Sequence, residues 1–246
     1  MVAMTNAPHG HHGHPHAPAA DHHRDVTGGA LRAGVFGAMD GLVSNFALVA
    51  GIMGAGAGTR TVTLAGLAGL AAGAFSMAVG EFTSVASQSE ATQAEIEREK
   101  RELARNPVGE TAELAQIYRG YGVESGLAHE VAHQITTNPE HNWRVHAREE
   151  LGVDPEDLPS PYVAASSSFA FFALGALIPL LPLFVGLSSI VAVTLISAAA
   201  LFGTGAVVAR ITVRSAWYGG TRQLALGLLA AALTFGFGAL VGTGLG

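Results

Sequence analysis

VTLAGLAGLAAGAFSMAVGEF, residues 62–82, is followed within a few residues by SQSEATQAEIEREKRELAR, residues 87–105. The first run carries one charge, Glu81, and has the length needed to cross a bilayer, roughly 20 residues. The second is dense in charged helix formers and meets no breaker until Asn106-Pro107. An apolar run that gives way to a charged helical one predicts a membrane body joined to a polar helical domain. Outward from this junction lie four more apolar stretches, residues 31–55, 162–187, 189–209 and 224–245. In lipid a lone segment must satisfy its own backbone hydrogen bonds, so each is expected to be a helix. The predicted fold is all-α, a five-transmembrane-helix protein with a helical domain between helices 2 and 3. Its expected divisions are a disordered His-rich tail (1–29), helices 1–2 (30–87), the helical domain (88–160) and helices 3–5 (161–246).

Charge is distributed to match. Only 13% of residues are charged, about half the usual share of a soluble domain. Fifteen of the 19 acids lie from Glu90 to Asp157, against seven bases there, a local net of −8. The whole chain carries −6, which excludes a nucleic-acid binder that needs a basic footprint. No cysteine is present, so thiolate chemistry and disulfides are excluded. The first span starts some thirty residues in and holds Asp40, unlike a secretion signal. With five spans, a cytoplasmic N-terminus places every Lys and Arg inside except Arg60. The acidic domain is therefore expected in the cytoplasm.

The spans contain three G-x-x-x-G pairs, Gly37/Gly41, Gly69/Gly73 and Gly238/Gly242, which let helix backbones approach closely. Pro179 and Pro182 are expected to kink or end the third span. Asp40 falls near mid-bilayer, where a carboxylate costs about 3 kcal/mol and marks an ion or proton path. Met77 and Glu81, four apart, share one face of the second span.

The acidic domain divides into helices over 87–105, 110–121, 125–135 and 138–151, with Ser125 capping the third. Glu99/Glu102 and Glu110/Glu113 are paired at i,i+3, and His146/Glu150 at i,i+4, so each pair shares a face. Carboxylates with one imidazole suit Fe²⁺ or Mn²⁺, and also Zn²⁺. His129-Glu130-Val131-Ala132-His133 has the H-E-x-x-H spacing of a zinc peptidase, with Glu149 or Glu150 as third ligand. Seven histidines, His9, His11, His12, His14, His16, His22 and His23, sit among Gly, Pro and Ala near the N-terminus. Such a tract is expected to bind transition metals weakly.

These residues bear a resemblance to a known family. Asp40-Gly41-Leu42-Val43-Ser44-Asn45-Phe46-Ala47-Leu48-Val49-Ala50-Gly51 is similar to the opening signature of the vacuolar iron transporter (VIT) family. Ser76-Met77-Ala78-Val79-Gly80-Glu81-Phe82 resembles its second-helix motif, and Glu149-Glu150-Leu151-Gly152-Val153 the end of its cytoplasmic domain. The resemblance runs over about residues 30–246 and leaves out the His-rich tail. It implies a five-span homodimer carrying Fe²⁺, and often Mn²⁺, out of the cytoplasm in exchange for protons. It assigns the membrane path to Asp40 and Met77. It assigns cytoplasmic metal collection to Glu99, Glu102, Glu110, Glu113 and Glu150. Two positions depart from the plant members: His146 stands where they have Met, and Gly69 where they have an acid. His129 and His133 match no ligand position of the family.

The expectation is a divalent iron or manganese exporter with no prosthetic group, working in a lipid bilayer, with Glu81 receiving the ion at the membrane. An Ala- and Gly-rich chain suggests a bacterial plasma membrane. Two other readings stand: a membrane-anchored zinc peptidase on His129, Glu130 and His133, and a metal sensor or store that transports nothing.

Overall fold

A computed structural model describes residues 29–244; the histidines from His9 to His23 lie outside them. The described residues are helical with no strand. Five helices are long and apolar enough to cross a membrane: α1 (Gly29–Gly54), α2 (Thr59–Arg105), α6 (Pro161–Leu177, continued through α7), α8 (Ile190–Ile211) and α9 (Ala216–Gly244). Between the second and third lie three shorter helices, α3 (Pro107–Gly120), α4 (Ser125–Thr136) and α5 (Asn142–Glu150). The third span loses its α-helical winding where Pro179 forms a 3-10 turn (Ile178–Leu180). Pro182 lies in the short α7 (Leu181–Phe184). The span changes its winding at Pro179 and ends at Phe184, two residues after Pro182.

The fourth span matches its expected range closely. The fifth begins eight residues earlier, at Ala216, because Thr221, Arg222 and Gln223 continue the helix before the apolar run. The largest difference concerns α2. The expected span and the expected charged helix are one 47-residue helix. Nothing over residues 83–86 (Thr-Ser-Val-Ala) supplies a breaker, so the winding continues from the membrane into the acidic domain.

α1 is the centre of the bundle, packed against α6, α9, α2 and α8. Its closest crossings use missing side chains. Gly37 and Gly41 lie against the α6 backbone at Ser168 and Phe172, and Gly175 of α6 lies against Ala38. Gly238 and Gly242 of α9 lie against Gly51 and Ala55 in the same way. A Cβ at any of these would strike backbone, which cannot swing aside, so the glycines set the interhelical distance. Leu42, Phe46, Val49, Leu180 and Leu201 fill the core between these crossings. The outer faces carry Phe36, Phe75, Leu229, Leu233 and Leu240 exposed. An apolar exterior around a packed centre is what a lipid solvent requires.

Candidate metal centre and membrane cavity

The acidic domain folds back on itself where α2 stops. Asn106 leaves helical geometry (φ −140°, ψ 60°), its side chain accepts a hydrogen bond from the Gly109 amide, and Pro107 starts α3. The chain thus turns back and sets α3 beside α2. Leu114, Ala115 and Ala132 form a small core with Tyr118, Ile135 and Val145, joining α3, α4 and α5. Lys100 of α2 stands 4.3 Å over the Trp143 ring, tying α5 to α2. α4 is capped by Glu124, which accepts from Leu127 N, rather than by Ser125. α5 begins at Asn142, because Asn138 through His141 form a turn first.

This packing brings Glu99 of α2, Glu110 of α3, and His146 and Glu150 of α5 together. One ligand atom from each lies within 4.8 Å of all the others. His146 is fully buried, and Glu99 and Glu110 are 5% and 6% exposed. The His146 Nδ1 lies 2.8 Å from Glu150 Oε1, 3.4 Å from Glu99 Oε1 and 3.9 Å from Glu110 Oε2. Its other nitrogen, Nε2, faces the buried Thr136 hydroxyl at 3.2 Å. Thr136 therefore holds one edge of the ring and leaves Nδ1 turned to the carboxylates. The sequence reading missed Thr136, because its signal is only a hydroxyl ten residues before a histidine.

Burial, with the Glu150 and Glu110 carboxylates close by, pushes the Glu99 carboxyl up to about 7. Burial and then Glu113 raise Glu110 as well. Glu99 Oε1 is buried with no hydrogen-bond partner. An orphaned carboxylate oxygen among three acids and one imidazole is a chemically apt cradle for a divalent cation. First-row ions bind such ligands at about 2 Å, so small side-chain shifts would close the cluster on an ion.

Two expected ligands sit outside this cluster. Glu102 is exposed and pairs with Arg98 at 3.2 Å. Glu113 lines a neighbouring open cleft of about 580 Å³ with Glu149 and Glu150. His129, Glu130 and His133 occupy exposed positions on α4. The third ligand a peptidase site needs is committed elsewhere: Glu150 to the buried cluster, Glu149 to the Tyr121 hydroxyl.

A second polar place lies within the bundle. Asp40, Ser44 and Asn45 of α1 and Gly69, Ser76 and Met77 of α2 line a cavity of about 290 Å³, closed on one side by Phe172. Among the described residues no basic side chain pairs with Asp40. Glu81 lies outside this lining, 2.6 Å from the Arg32 guanidinium near the start of α1. Arg32 was not singled out from sequence, since a base near the start of a span reads as an orientation signal.

The VIT family profile matches residues 31–239, which include both places. A "Vacuolar iron transporter" of Acanthamoeba castellanii is 43% identical over 155 residues, 63% of this chain and 56% of that protein. The matched region thus spans little more than half of that relative. A "Vacuolar iron transporter 1" of Oryza sativa subsp. japonica is 35% identical over 184 residues, 74% of this chain and 70% of its own. That of Arabidopsis thaliana is 35% identical over 191 residues, 74% of this chain and 75% of its own. From its first span to its fifth, this chain belongs to the VIT family.

Proposed function

We propose that this protein moves divalent iron or manganese across a membrane, out of the cytoplasm, in exchange for protons. The observation that carries the reading is the continuity of α2. One unbroken helix holds Met77 beside the membrane cavity and Glu99 in the buried cluster. At about 1.5 Å per residue the two lie about 33 Å apart along it. The names of the rice, Arabidopsis and Acanthamoeba relatives support iron as the cargo.

In this reading the acidic domain faces the cytoplasm and concentrates the cation at Glu99, Glu110, His146 and Glu150. Glu102 and Glu113 lie one turn outward and attract it. The ion passes Glu81 and then binds between Asp40 and Met77. A proton arriving from the far side neutralises Asp40 and frees the ion, because a protonated carboxyl is a poor cation ligand. Two copies packed over the open side of the cavity would enclose the path from lipid. The Ala- and Gly-rich composition favours a bacterial plasma membrane as host.

The test is flux in proteoliposomes. Purified full-length protein with an acidic lumen is expected to accumulate Fe²⁺ or Mn²⁺ inside. Absence of uptake with and without the gradient, in vesicles whose protein still binds metal, would leave a sensor or store instead.

A further inference from the structure

The membrane cavity contains an oxygen with nothing to do. Asn45 is 2% exposed. Its Nδ2 donates to the carbonyl of Ala176, near the end of α6. That bond fixes which way the amide faces, since turning it over would set Oδ1 against a carbonyl oxygen. Oδ1 is left buried with no donor. Buried acceptors are almost always satisfied, so an orphan inside a membrane bundle requires an account.

The surroundings supply one. Asn45 lines the same cavity as Asp40 and Met77. Across from it stands Gly69, whose missing side chain leaves the oxygen uncovered. A Cβ there would lie 3.2 Å from Oδ1 and would also strike the Leu48 side chain. The remaining polar groups of the cavity are two hydroxyls, Ser44 and Ser76. A desolvated divalent cation beside Asp40 needs further oxygens to replace its water, and the lining holds no second carboxylate.

From this geometry we infer that Asn45 Oδ1 is a ligand for the divalent cation in the membrane cavity, held ready by the Ala176 carbonyl and kept open by Gly69. An amide oxygen adds a strong dipole without adding charge. Each copy's lining keeps a single negative charge, which favours binding weak enough for the ion to leave. The inference rests on the transport reading for its meaning, but its binding claim stands apart from flux.

The test uses the full chain in detergent carrying His146→Ala and Glu150→Gln, which silence the acidic cluster. Mn²⁺ bound per chain is measured by equilibrium dialysis. Beyond whatever the histidine tail binds, this background is expected to retain one further ion, identified as the one lost in Asp40→Asn. Adding Asn45→Ala should weaken that ion at least tenfold. Gly69→Ala keeps the Asn45 bond to Ala176 and covers the oxygen, so it should weaken the ion at least threefold in a chain that remains monodisperse. Unchanged Mn²⁺ affinity in both variants, or no retained ion in the background, would overturn the assignment. If the wild-type chain shows no flux but Asn45→Ala and Gly69→Ala still lose the ion, the transport reading falls and Asn45 remains a ligand.

Discussion

The acidic domain and the membrane cavity offer a cation opposite surroundings. In the domain, three carboxylates and an imidazole are gathered within 4.8 Å, all buried except the half-buried Glu150. In the cavity, one carboxylate shares about 290 Å³ with hydroxyls, an amide and a thioether. Burying like charge together is costly without an ion: burial first, and then the Glu150 and Glu110 carboxylates, push the Glu99 carboxyl up to about 7. Sparse charge leaves the cavity tolerable in lipid when empty. In the proposed transport cycle the first place captures an ion and the second passes it along. The difference follows from solvent: water at the domain's edge screens its charges, whereas surrounding hydrocarbon favours a cavity lined by a single acid.

The contrast can be broken most forcefully at Asp40. Asp40→Asn is expected to reduce Mn²⁺ flux at least a hundredfold while metal affinity of the acidic cluster, read by titration calorimetry, stays within twofold. Normal flux in this variant would remove Asp40 from the path. His146→Ala or Glu150→Gln should do the reverse. Cluster affinity should fall about thirtyfold, in the range seen when metal sites lose a supporting group. Flux would then need more metal to reach the same plateau. Thr136→Val should weaken cluster binding about tenfold by freeing the His146 ring, and Thr136→Ser should restore it. Equal affinities in the two variants would make Thr136 a packing residue only.

Proton linkage sharpens the comparison further. Glu99 titrates higher folded than unfolded, so its contribution favours folding at low pH. The metal-free domain should lose stability as pH rises from about 4.5 through about 7. Bound Mn²⁺ should remove that slope, because the ion replaces the proton. Protons compete for the same oxygens, so cluster affinity should climb with pH up to about 7 and then level off. Thermal melts at several pH values, with and without Mn²⁺, check both statements. The smallest effect is expected at Glu102, which is exposed and paired with Arg98: Glu102→Gln should change cluster affinity less than twofold.

Much of this was legible in the sequence, for local reasons. Spans announce themselves by length and apolarity, and the breaks at Asn106-Pro107 and Pro179 are chemical facts of the residues. Helical spacing put His146 and Glu150 on one face. It also paired Glu99 with Glu102 and Glu110 with Glu113, and there it could not tell the inward member from the outward one. That choice depends on how α2 and α3 rotate against each other, a tertiary matter. The continuity of α2 was hidden because an apolar run and a charged run read as two elements even where no residue ends the helix. Asn45 and Thr136 were invisible as functional residues for a similar reason. Their meaning lies in partners on other helices, Ala176 in α6 for one and the His146 ring in α5 for the other.

The most direct measurement is initial Mn²⁺ uptake against Mn²⁺ concentration, in acidic-lumen proteoliposomes, for wild type, Glu150→Gln and Asp40→Asn. The account predicts that Glu150→Gln reaches the wild-type plateau at higher Mn²⁺, and that Asp40→Asn stays flat at every concentration. Saturating uptake by Asp40→Asn, or a lowered plateau with an unchanged half-saturation point in Glu150→Gln, would contradict the division into a capturing cluster and a passing cavity.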